Sequence, residues 1–122
     1  MKQWGWLMCV VALLLPSVAP AGEVEVVDVK VTKAGDGTYR FDVTLRHADA
    51  GWEHYADRWD VLIPDGALIG TRVLYHPHVE EQPFTRSLGG VRVPNGVGEV
   101  IVRAHDKVHG SSGKTMKVRL PD

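Results

Sequence analysis

Cysteine is nearly missing from this 122-residue chain: there is one, Cys9, inside an apolar N-terminal stretch. With no second cysteine, no disulfide can form within the chain, and a domain that loses that stretch has no thiol for catalysis. Long apolar runs are missing as well. The longest, Trp4 to Leu15, is well short of the roughly 20 residues a helix needs to cross a bilayer, so no membrane span is expected in the mature chain. Neither sign of charge dominates. Lys and Arg number 14 against 15 Asp and Glu, well mixed, which argues against capture of nucleic acid or acidic membranes by charge. Methionine is scarce beyond the apolar stretch, where only Met116 occurs, and a thioether site for monovalent copper is thereby disfavoured. Helical periodicity, internal repeats and low-complexity segments are also absent.

The N-terminal segment supplies the first positive signal. Lys2, the apolar run, Pro16 and then Ala19-Pro20-Ala21 have the order of a secretory signal peptide covering residues 1–21. Cleavage after Ala21 is favoured over cleavage after Ala19, which would leave Pro20 first, so the mature chain is predicted to start at Gly22. Met8 before Cys9 is not the small residue that a lipoprotein anchor requires. The expected product is a periplasmic or secreted domain, residues 22–122, stabilised by its core alone.

Period-two alternation between Gly, Pro, Asn and Asp punctuation predicts about seven antiparallel strands in an all-β, two-sheet sandwich of immunoglobulin-like or fibronectin-III-like type. The first covers about Glu23 to Lys33, with its apolar phase shifting between Val26 and Val27 as at a bulge. Ala34-Gly35-Asp36-Gly37 then turns into a strand with Tyr39, Phe41, Val43 and Leu45 on its core face. The third runs from about Arg58 to Ile63, anchored by Trp59, and the fourth from Ala67 to His76. The fifth runs from Phe84 to Val93, the sixth from Glu99 to Asp106 and the seventh from Lys114 to Leu120.

Six histidines fall in three pairs, His47 with His54, His76 with His78, and His105 with His109. Each pair follows an even-numbered strand, so alternating strand direction brings all three to one end. The other end has short turns rich in Gly and Pro. The histidine-bearing loops also carry Trp52, Glu53, Tyr55, Glu80, Glu81 and Asp106, and such loops on a rigid sandwich are where function usually sits. Splitting the fifth strand at Gly89-Gly90 would reverse the parity and send His105 and His109 to the opposite end.

His76-Pro77-His78 is the sharpest chemical motif, because residues two apart on an extended chain share a face and imidazole suits zinc and divalent copper. His54, His105 or His109 would complete the set of ligands, with Glu80, Glu81 or Asp106 orienting them and Trp52 and Tyr55 beside them. Each residue also has a commoner reading. His47 continues the inward register and reads as a rim histidine bonded to backbone. His54 packs in a lid with Trp52 and Tyr55, and His105 and His109 flank an ordinary loop. Ser87, Ser111 and Ser112 lie in no nucleophile motif, so a binding protein is favoured over an enzyme. The alternative to metal is a protein or glycan partner gripped by Trp52, Tyr55, Tyr75 and Phe84.

The stretches Gly51-Trp52-Glu53-His54-Tyr55-Ala56-Asp57-Arg58-Trp59 and Tyr75-His76-Pro77-His78-Val79-Glu80-Glu81-Gln82-Pro83-Phe84-Thr85-Arg86-Ser87, with Arg103 to Asp106 and Val108 to Gly110, resemble a family of small exported bacterial β-sandwich proteins of uncharacterised activity. The resemblance implies that these loops recur, and it brings no activity with it. By architecture, copper-zinc superoxide dismutases also place a His-x-His pair on a β-sandwich, but this chain lacks their disulfide. Superoxide reductases add a cysteine ligand that is missing here. Periplasmic copper carriers of similar fold begin with histidine, whereas the mature chain here is expected to begin Gly22-Glu23.

Overall fold

The computed structural model describes residues 22–122; the expected signal segment, with Cys9, lies outside the described residues. Eight strands follow one another: β1 (Glu25–Lys33), β2 (Tyr39–Arg46), β3 (Ala56–Leu62), β4 (Leu68–Val73), β5 (Phe84–Val91), β6 (Glu99–Asp106), β7 (Gly110–Ser111) and β8 (Met116–Arg119). One sheet has the order β1-β2-β5. The other has the order β4-β3-β6-β7, with β8 pairing along β6 as well. Every pairing is antiparallel, and the two sheets form an all-β sandwich. No helix among the described residues is long and apolar enough to cross a membrane.

The alternation in the sequence is what divides core from surface. Phe41, Val43 and Leu45 of β2 face Trp59 and Val61 of β3 and Val100, Val102 and Ala104 of β6, all fully buried. Burial of each large apolar side chain contributes roughly 1.5–3 kcal/mol, and this core is the main source of stability in a domain without a disulfide. The expected irregularity in β1 is present, with the register shifting between Val26 and Asp28. Phe84 to Val91 is one strand, and Gly89-Gly90 is accommodated as a bulge against β2 between Tyr39 and Phe41. The seventh predicted strand is shorter than its pattern, Met116–Arg119. A two-residue β7, too short to leave a periodic signal, precedes it.

The registers define a common end. Glu25 lies opposite Arg46, Leu45 opposite Phe84, Ala56 opposite Asp106 and Arg58 opposite Val73. The starts of β1, β3 and β5 therefore meet the ends of β2, β4 and β6, and at this end lie all six histidines, five on the connecting loops and His105 on the last residues of β6.

Candidate metal centre

The inward register of β2 does not stop at the strand's end. His47 and Asp49 continue the series Phe41, Val43, Leu45, and both are buried. His47 Nδ1 lies 2.5 Å from Asp49 Oδ1, and the same oxygen accepts the Ala56 N–H at 3.1 Å. Asp49 Oδ2 accepts the backbone N–H of His78 at 2.7 Å. Gln82 ties the same loops, accepting the His47 N–H through Oε1 and donating to the His78 carbonyl through Nε2. His47 is thus held by its ring through Nδ1 and by its backbone through Gln82, which leaves Nε2 for other partners.

Around that nitrogen stand oxygen and nitrogen atoms from distant parts of the chain. The Gly22 carbonyl oxygen is 2.7 Å from His47 Nε2 and 3.3 Å from His54 Nε2. Asp106 Oδ2 is 3.8 Å from His47 Nε2, and Asp106 Oδ1 is 3.4 Å from His54 Nε2. His47, His54 and Asp106 each offer a donor atom within 4.8 Å of the others. Donors bonded at about 2.0–2.1 Å to one tetrahedral ion stand roughly 3.3 Å apart, so the spacing of Asp106 from His54 suits a shared cation as it stands, and the wider pairs would have to draw together around one.

Local sequence explains each placement. His54 reaches the cluster because Gly51 takes φ +106°, which favours glycine, and the turn closes with the Ala50 N–H on the His54 carbonyl at 2.8 Å. Asp106 continues the buried series Val100, Val102, Ala104 at the end of β6, while His105, one residue earlier, faces the other way. Asp106 Oδ1 accepts the backbone N–H groups of Val108 at 2.8 Å and His109 at 2.6 Å. Burial by itself would raise the Asp106 pKa. These two N–H groups and the His109 ring outweigh it and hold the carboxyl below its ordinary value, hence ionised.

The electrostatics of this corner call for a positive charge. When Nδ1–H of a neutral His47 ring donates to Asp49, the Nε2 lone pair points at the Gly22 carbonyl and the Asp106 carboxylate. Asp106 Oδ2 is itself buried with no hydrogen-bond partner. A buried carboxylate oxygen without a partner is costly, and either a proton on Nε2 or a metal ion among the donors relieves it.

The other histidines are arranged differently. His109 is at the rim, its Nδ1 3.2 Å from Asp106 Oδ1 and its ring 5.0 Å from that of His54. His76 is exposed, while His78 is buried and stacked on Phe84 with ring centres 4.0 Å apart. Their rings lie 4.7 Å from each other, and His78 Nδ1 is 3.9 Å from Asp49 Oδ2. Burial, reinforced by Arg86 and His76, lowers the His78 pKa and keeps the ring neutral. His105 bonds Asp57 through Nδ1 at 2.6 Å on the outer face, apart from the cluster. Glu80 and Glu81 are exposed, and Glu81 pairs with Arg86 at 3.1 Å. Tyr55 and Phe84 close the end of the core, whereas Trp52, set edge-on to Tyr55, and Tyr75 are exposed.

The sequence pattern centres the ligands on His76 and His78, completed by His105, His109 or His54 with Asp106 in support; of these the structure brings His54, His109 and Asp106 together. His47 reads from the sequence as a rim histidine bonded to backbone, and its Nε2 does meet the Gly22 carbonyl, but it is buried, and the pattern does not single out Gly22 or Asp49. The signal for Asp49 was available, since the alternation of β2 runs two steps past its last apolar residue. A cleft of about 600 Å³ at the opposite end, lined by Ile63, Asp65, Val97, Glu99 and Arg119 among others, contains no histidine and no comparable cluster.

No protein-family model matches the chain. It is 45% identical over 96 residues, 79% of its length, to a protein of Halomicrobium mukohataei provisionally described as a lipoprotein. The chain spans about half of that relative, 47% of its length. Among solved structures, a hypothetical protein of Pyrococcus horikoshii superposes with a TM-score of 0.54 at 14% identity, over 84% of this chain and 95% of that one. A superoxide reductase of Giardia intestinalis gives a TM-score of 0.47 at 14% identity, over 79% of this chain and 99% of that one. At such identity the Pyrococcus match speaks for the fold alone.

Proposed function

We propose that this protein is an exported binding protein that holds a divalent transition-metal ion, copper(II) or zinc, in the cluster of His47, His54 and Asp106. One observation carries the reading: donor atoms from the β2–β3 loop and from the end of β6 lie within 4.8 Å of one another, and the buried Asp106 Oδ2 among them has no other partner. Two imidazoles and a carboxylate suit zinc and copper(II), and the Gly22 carbonyl is at hand as a further oxygen. Asp49 acts on the metal through His47, fixing the ring and raising its basicity as carboxylates behind metal-bound histidines do. Export is supported by the signal-like N-terminus and by the lipoprotein description of the Halomicrobium relative. The cluster has no nucleophile or acid–base pair set apart from the proposed ligands, which favours carriage or sensing of the ion over catalysis.

The test is titration of untagged protein, purified after export, with copper(II) and zinc, and with iron(II) under anaerobic conditions as a comparison. Stoichiometric binding by the wild type that is lost in His47→Ala and in Asp106→Asn supports the centre. Binding that survives both substitutions sinks it.

A further inference from the structure

We propose that the mature α-amino group of Gly22 is itself a ligand of this centre, so that removal of the signal segment completes the metal site. The inference rests on the metal reading above and adds to it a ligand and a regulatory step. The Gly22 carbonyl already lies 2.7 Å from His47 Nε2 and 3.3 Å from His54 Nε2. The α-nitrogen is two bonds from that carbonyl carbon and about 1.46 Å from the Cα. That Cα is pressed against the histidines: a Cβ added to Gly22 would stand 2.2 Å from His109 Cε1 and 2.7 Å from His54 Cε1. With φ at +99° as well, only glycine fits there.

The segment is fixed in place. Val24 is fully buried, and Glu23 Oε1 accepts the Ser112 hydroxyl at 3.0 Å and the Gly113 N–H at 3.2 Å. Residue 22 is therefore held against the cluster by its neighbours on the C-terminal side, whatever precedes it.

In the precursor the Gly22 nitrogen is an amide whose lone pair is delocalised into the Ala21 carbonyl, and it is a poor ligand. Hydrolysis of the Ala21–Gly22 bond sends the hydroxyl of water to the Ala21 carboxyl and its proton to the Gly22 nitrogen. The product is an amine whose lone pair, once deprotonated, binds copper(II) or zinc. An amine and a carbonyl on one residue close a five-membered ring with an ion, and chelation of that kind adds affinity without ordering any further side chain. Loading with metal is thereby deferred until the chain has been exported and cut.

The experiment compares protein beginning at Gly22 with the same chain carrying one additional Ala ahead of it, each titrated with copper(II) sulfate. Electron paramagnetic resonance reports the ligands, and thermal melting shows that both forms fold. The expected result is affinity at least about tenfold weaker in the extended form, with an altered copper spectrum. Equal affinity and the same spectrum overturn the Gly22 ligand and leave the His47, His54 and Asp106 centre standing. No copper binding by either form overturns both readings. Mass spectrometry of the exported protein gives an independent check, since an N-terminus other than Gly22 overturns the maturation step.

Discussion

His47 and Asp49 form a fully buried pair, with Nδ1 of one 2.5 Å from Oδ1 of the other and neither side chain exposed to solvent. The carboxylate also holds the backbone N–H groups of Ala56 and His78, so it joins the β2–β3 and β4–β5 loops at the base of the cluster. Asp49→Ala leaves three buried donors without an acceptor and is expected to cost about 3–5 kcal/mol. Asp49→Asn keeps the shape and is expected to fold while losing roughly 10–100-fold in metal affinity. Urea denaturation and copper titration of the two variants check this. An Asn variant with wild-type affinity would remove Asp49 from the site.

The histidines divide into two groups. His54→Ala should abolish tight metal binding and His109→Ala should weaken it. His76→Ala and His105→Ala should leave it unchanged, since His76 is exposed above His78 and His105 pairs with Asp57. Isothermal titration of the four single variants decides the matter, and a loss in His76→Ala would move the centre to the His76-Pro77-His78 segment.

Stability should also depend on pH through His78. Burial lowers its pKa in the folded protein below the ordinary 6.5, so between the two values the unfolded chain binds more protons. The contribution is whole above about 6.5 and falls as pH drops toward the folded value. Asp106, shifted down from 3.8, loses its contribution only in stronger acid. The melting temperature of metal-free protein should therefore decline from pH 7 to 5, and His78→Phe, which can still stack on Phe84, should flatten that slope. An unchanged slope in the variant would assign the effect elsewhere.

Asp60 provides a check away from the site. It is 1% exposed on the central strand β3, accepting from Thr71 Oγ1 at 2.9 Å and Arg103 Nη2 at 3.0 Å. Asp60→Ala removes the acceptor from these half-buried donors and is expected to destabilise by about 1–3 kcal/mol, with metal affinity in the surviving folded fraction unaltered. Thermal melts with and without copper measure both.

The fold was legible because apolar alternation alone divides core from surface: Phe41, Val43 and Leu45 on β2, and Val100, Val102 and Ala104 on β6, face inward as their spacing requires. Strand direction then brought the histidines to one end. The membership of the cluster was harder to read, because a period-two pattern does not say where a polar residue continues the buried face. His47, Asp49 and Asp106 all do so, one or two steps beyond an apolar series. Gly22 left no local signal at all, as its place depends on Glu23 meeting Ser112 and Gly113 across the length of the domain.

That last contact has a bearing on the order of events in synthesis. Residues 22, 47 and 54 leave the ribosome well before Asp106 and the Ser112 turn that clasps Glu23. Closing a loop of this length waits until residues 106–113 have been made. A nascent chain that stops short of them therefore presents histidines without the partners that hold them together, and under the proposed metal reading an ion captured at that stage would be held only loosely and lost to a competing chelator before β6 docks.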